Sequence, residues 1–404
     1  MNSNSSFKIY IALRFFSSLF FAMIVTVNLV YQATVANLNP LQLVLVGTLL
    51  EASCFLFEIP TGIVADLYSR KLSIIIGTFL VGVGFLIEGL FPLFFAILIA
   101  QFIWGIGSTF ISGAREAWIV DEIGEKEAEK AFIRGQQFSQ MGLFVGIFLS
   151  MLLGSINIQL PIILGGALYS IQSLFLMFFM KENNFSPTPF KKRETFKKMR
   201  EIFFEGIVII KKNYVLLFII INSFIFGMFS EGFDRLWTPY LLNNFEFPLI
   251  GDLKPVVWFG IINIIATIFA LVATEIVNIV KKDRASSLKI LLFIDCLLIV
   301  SVFGFGFSNG FLVAIIFYSF ISMFREARGP LYDIWMSQNI ESKIRATIFS
   351  MRSQVDAFGQ IIGGPIIGIV ASVIAIRSGI VAGGIILVPT IFFYYYFLKR
   401  HKNI

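Results

Sequence analysis

Residues Phe55–Lys71 read FLFEIPTGIVADLYSRK, an apolar run that stops at Asp66, Arg70 and Lys71. Upstream the apolar character reaches back to about residue 41, and downstream it resumes at 72 and lasts to about 92. Each stretch matches the roughly 20 apolar residues that cross about 30 Å of hydrocarbon. Backbone inside lipid must satisfy its own hydrogen bonds, so two such stretches joined by a charged turn read as a helical hairpin.

The rest of the chain repeats this pattern. With 57% hydrophobic and 14% charged residues and a mean hydropathy of +0.85, the 404 residues lie outside the range of a water-soluble domain. The pattern predicts twelve spans, at 10–35, 41–64, 72–92, 94–119, 133–156, 160–180, 214–241, 255–278, 287–308, 310–334, 345–370 and 374–398. The first carries no small-residue cleavage pattern and reads as a retained helix rather than a leader. Most of the 48 Phe are expected to face lipid.

A net charge of +7 would suit nucleic acid, but its placement points to a membrane rim. The connections after spans one, three, five and nine carry no Lys or Arg. Those after spans two, four, six, eight and ten carry Arg70 and Lys71, Lys126 and Lys130, a long basic run, Lys281, Lys282 and Arg284, and Lys343. By the positive-inside rule both termini are cytoplasmic and the number of spans is even. The fold expected is therefore an all-α membrane protein of two six-helix halves, residues 1–180 and 214–404. The joining segment 181–213 contains a basic amphipathic helix between Lys191 and Lys212, suited to the inner membrane surface. The triplets Arg115–Ala117 and Arg325–Ala327 lie half a chain apart, as a parallel repeat predicts. Gly359–Gly368, GQIIGGPIIG, has the small-residue spacing of tightly packed helices.

Charges within hydrocarbon are functional candidates by default. Glu51 and Glu58, seven residues apart, fall on one helix face, and Arg14 in span one is their expected countercharge. These three, with Glu88, Asp234 and Arg235, are the candidates for proton coupling or substrate contact. A conformational gate is expected from Gly62, Asp66, Arg70 and Lys71, from Arg115, Glu116 and Asp121, and from Arg325, Glu326, Arg328 and Asp333. Glu231, Glu275, Asp295, Arg352 and Asp356 are weaker candidates. The single histidine, His401, sits in the tail, and no HExxH, GxSxG or phosphate-binding glycine loop is present, so an enzyme is not expected. Cys54 and Cys296 lie in separate apolar runs with no metal-ligand spacing. Neither a metal nor another cofactor is expected.

Gly62, Asp66, Arg70 and Lys71 match the signature loop between helices two and three of the major facilitator superfamily, and the whole chain resembles a twelve-helix member. With Gly107–Glu122, GSTFISGAREAWIVDE, it is similar to a bacterial drug- and metabolite-efflux branch. The helix-two glutamates also resemble those of clostridial-type tetracycline efflux proteins, where such residues are linked to transport. The resemblance implies a monomer in the bacterial plasma membrane that uses protons to export a lipophilic or cationic compound. It departs at Gln101, where many antiporters carry arginine, and in span five, where the glycine-rich signature is reduced to Gly142 and Gly146. Uptake of a small polar nutrient, a sugar or an organic acid, is the alternative reading.

Overall fold

The computed structural model describes residues 3–186, 210, 213–248, 254–279, 284–340 and 342–401. The amphipathic helix expected between Lys191 and Lys212 lies almost wholly outside the described residues. Among the described residues there are thirteen helices: α1 (Ser3–Thr34), α2 (Pro40–Leu67), α3 (Arg70–Leu90), α4 (Phe94–Ile111), α5 (Ala114–Ile123), α6 (Glu125–Ile156), α7 (Leu160–Phe179), α8 (Tyr214–Asn244), α9 (Pro255–Ile279), α10 (Arg284–Gly306), α11 (Phe311–Asn339), α12 (Ser342–Val373) and α13 (Ile376–His401). They make twelve spans in two helical bundles, because α4 and α5 share one span, Phe94–Ile123.

That shared span is where the structure departs from the expected continuous helix over 94–119. Gly113 has φ 70°, a left-handed conformation that glycine adopts without a Cβ penalty, and the chain changes direction there. Gly124, at φ 78°, then separates α5 from α6, whose first turn carries Glu125 and Glu127. Acids at a helix N-terminus are favoured by the helix dipole, which explains why α6 starts ahead of the expected residue 133. At the inner end of α3, Ser69 is the N-cap, its hydroxyl accepting from the Leu72 amide at 2.9 Å.

Eleven spans pass a simple length-and-hydropathy test; α11 does not. Its charges explain this, since Arg325, Glu326, Arg328 and Asp333 all fall within its 29 residues. Ion pairs formed inside the protein compensate this helix.

The helices gather into two compact units. One takes in the described residues of Met1–Leu38, Leu49–Arg193 and Leu249–Ile261; the other those of Asn39–Thr48, Glu194–Pro248 and Ile262–Ile404. In the first, Tyr10, Leu13, Ile74, Trp118, Leu176 and Met180 form an apolar cluster joining α1, α3, α5 and α7. In the second, Ile219, Leu291, Leu331, Trp335, Met336 and Tyr394 do the same for α8, α10, α11 and α13. Large apolar side chains such as Phe95, Phe178 and Phe392 are exposed, as helices bathed in lipid require.

The glycine stripe of α12 packs as its spacing predicts. A Cβ on Gly363 would run into the Met228 backbone of α8. Gly363→Val is therefore expected to cost about 1–3 kcal/mol through overpacking, seen as a lower unfolding temperature of the purified protein. An unchanged temperature would mean that α8 and α12 separate freely.

Candidate functional site

Polar chemistry in the first unit is concentrated at three levels. At the inner end, Arg70 pairs with Asp121 at 2.5 Å. Glu182, just beyond α7, accepts the Lys71 backbone N–H at 3.0 Å and the Ser69 hydroxyl. Lys71 Nζ donates to the Met177 carbonyl, and the Trp118 indole to the Lys181 carbonyl. Glu122 accepts the backbone N–H groups of Asn183 and Asn184. The start of the connecting segment is thereby tied to the charged turn. Glu182 was not among the sequence candidates, although an acid just past a span and near a basic turn is a readable signal. Asp66 is exposed, and the space beside Gly62 is open, so in this conformation the glycine does not serve a close helix approach.

Midway through the unit, Arg14 does not pair with the helix-two acids. Its helix packs on α6 and α5, which turns the guanidinium toward Gln136, whose Oε1 accepts at 2.7 Å, and toward Glu116 at 3.8 Å. Arg115 donates through Nε and one terminal nitrogen to the same Glu116 oxygen, at 3.1 and 3.0 Å. Glu58 is half-buried and accepts the Ser112 hydroxyl at 3.0 Å, and Glu51, about two helical turns away, is half-buried too. Beside this cluster lies a cavity of about 240 Å³. Arg115, Ser17, Ser108 and Ser112 line it together with the rings of Phe21, Trp104 and Tyr169. The break at Gly113 places Ser112 and Arg115 on this wall, on either side of the turn.

At the outer end stands Glu88, two residues before the end of α3. It is fully buried. Its Oε1 accepts from Asn28 Nδ2 at 3.1 Å and Gln32 Nε2 at 2.6 Å, and its Oε2 from Gln101 Nε2 at 2.9 Å. Asn28 and Gln32 are four residues apart, one above the other on α1. That spacing was visible in the sequence, but their partner across the bundle was not.

The second unit is built on ion pairs. Asp234 and Arg235, adjacent in sequence, part company. Arg325 chelates Asp234 with two bonds, the Nη2–Oδ2 one at 2.8 Å, whereas Arg235 holds the buried Glu231 one helical turn away at 2.9 Å. Glu231 and Arg235 sit over Gly47, where a Cβ would collide with both side chains. Arg328 is buried; its Nε meets Asp295 Oδ1 at 2.9 Å, a terminal nitrogen donates to Asn222, and the Phe226 ring lies 4.1 Å from the guanidinium carbon. Arg352 pairs with Asp333, and Asp356 accepts from Gln360 at 2.9 Å. Glu326 is exposed. Among the described residues no group of three acids, cysteines or histidines could hold a metal.

Comparison with known proteins agrees with this architecture. The profile described as Major Facilitator Superfamily matches residues 10–326. An uncharacterised MFS-type transporter of Bacillus subtilis, YxaM, is 25% identical over 368 residues, covering 90% of this chain and 89% of its own. The nucleoside transporter NupG superposes with a TM-score of 0.74 at 16% identity, over 99% of each chain. A bacterial homologue of the human lysosomal transporter Spinster gives 0.74 at 14%, over 99% of this chain and 98% of its own. At such identities the two structures speak for the fold.

Proposed function

Because the chain belongs to the Major Facilitator Superfamily, we propose that it imports a small organic anion together with a proton, by alternating access across the bacterial plasma membrane. One observation carries the choice of substrate: Arg14 and Arg115 converge on a single oxygen of Glu116 beside the cavity. Two guanidiniums and one carboxylate sum to one positive charge. Guanidinium is planar with five donors and binds carboxylates in a two-pronged fashion. A substrate carboxylate can therefore take over donors now spent on Glu116. The serine hydroxyls suit further polar groups, and the aromatic rings a short carbon skeleton.

Export of a lipophilic cation, the reading that the resemblance to efflux proteins favours, fits less well. The arginines repel a cation, and the helix-two acids offered for it are half-buried, with Glu58 already engaged by Ser112. The substrate reading is tested in cells expressing the protein, by following labelled lactate, succinate and tetraphenylphosphonium. Accumulation of an acid several-fold above control cells, lost in Arg115→Gln, is expected. Reduced accumulation of tetraphenylphosphonium with no effect on either acid would overturn the reading in favour of export.

A further inference from the structure

We infer that Glu88, clasped by Asn28, Gln32 and Gln101, is the seat of the transported proton, in place of the helix-two glutamates. This rests on the proton-coupled reading above and names the group that would carry it out.

Three buried carboxylates stand out among the described residues, and their hydrogen bonds differ in kind. Glu231 accepts from Arg235, and Asp295 from Arg328, so in each the bonded partner is a permanent cation that favours the charged carboxylate. Glu88 accepts bonds from three carboxamides. A carboxamide presents N–H donors on one side and an acceptor oxygen on the other, so half a turn about its last bond exchanges them. An arginine has no acceptor to offer.

A second, independent feature points the same way. The oxygens Gln32 Oε1 and Gln101 Oε1 have no hydrogen-bond partner, although both residues are fully buried. An unfilled buried acceptor costs on the order of the full desolvation penalty of that group. In the present arrangement both glutamines direct their donors at Glu88, as suits its ionised form, and leave their acceptors idle. When a proton reaches Glu88, an O–H bond forms on one carboxyl oxygen and the negative charge disappears. One glutamine then turns, its N–H···O contact is replaced by O–H···Oε1, and an idle acceptor is filled. On release the proton leaves and the amide turns back. The carboxyl is hydrogen-bonded in both states, so the site suits repeated loading and unloading.

From α1 the titratable neighbour is Tyr31, whose hydroxyl donates to the Glu88 backbone carbonyl. The contribution of α4 is the neutral Gln101. At the entry to α7 stands Gln159, which donates to the Gly89 carbonyl. Glu88 lies two residues from the end of α3 that the charge distribution places outside. A proton drawn from the outer solution therefore has the shorter way in.

The test needs no transported substrate; the proton itself is the probe. Infrared difference spectra of the full-length protein in liposomes are recorded as pH is lowered. The stretch of a protonated buried carboxyl is expected to grow in the wild type, to be absent in Glu88→Gln, and to remain in Glu58→Gln. Gln101→Leu keeps the carboxyl but removes one donor to its charged form, so the midpoint should move to higher pH by about one unit. That shift is not expected from a merely structural role, and it keeps the test open if Glu88→Gln fails to fold. A band unchanged by Glu88→Gln, or an unmoved midpoint in Gln101→Leu, would overturn the assignment. So would a midpoint displaced by sodium but not by choline, which would give the site to an alkali cation. An intact, titrating band in a protein that moves neither lactate nor succinate would instead sink the substrate reading and leave the proton seat standing.

Discussion

Arg328→Met is expected to destabilise the protein by about 3–5 kcal/mol, the usual result of removing one partner from a buried ion pair. The side chain is only 4% accessible, and its loss leaves Asp295, at 5%, and the Asn222 oxygen without their guanidinium donor. The stacking of the guanidinium on Phe226 and Tyr332 is lost as well. Arg328→Met combined with Asp295→Leu removes both charges, and apolar replacements of similar volume often restore most of the loss. Unfolding of the purified single and double variants measures both effects. A double variant as weak as the single one would show that the pair also sets the geometry of α10 against α11.

Arg14→Gln and Arg115→Gln are expected each to weaken carboxylate binding by about 2–3 kcal/mol, roughly 30- to 150-fold in affinity. Neither should lower stability as Arg328→Met does, because both arginines and Glu116 are partly accessible and partly solvated in the unoccupied protein. The comparison separates a binding pair from a structural pair by the ratio of two measured losses. Equal loss of stability at Arg115 and Arg328 would place the first arginine among the structural ions.

The sequence made the fold legible because each requirement of the bilayer leaves a mark on it. Apolar stretches of spanning length, and basic residues in alternate connections, lead to twelve spans without any knowledge of contacts. Local breaks were less legible. The division of span four at Gly113 follows from one left-handed glycine, and many glycines in membrane helices sit in unbroken segments.

The polar partners were the hardest part. The acids nearest to Arg14 along the chain are in span two, but α1 packs on α6 and α5, so Gln136 and Glu116 receive it. Asp234 and Arg235 are neighbours in sequence, but successive residues point to different faces of a helix, and each finds its partner elsewhere. Glu88 lies close to a span end, where the sequence alone gives no sign of burial. Its burial depends on Asn28, Gln32 and Gln101 arriving from two other helices. Only tertiary packing brings these together, and a single sequence carries no record of that packing.

The most direct test of the central claim, that Arg14 and Arg115 receive a small organic anion, is counterflow in proteoliposomes held without any ion gradient. Liposomes preloaded with unlabelled lactate or succinate are diluted into the labelled acid, and transient uptake of label is followed. The account predicts uptake that rises and then decays, is absent in Arg14→Gln and Arg115→Gln, and persists in Glu88→Gln, since exchange needs no net proton movement. Uptake that is absent for both acids, or that is unchanged in both arginine variants, would contradict it.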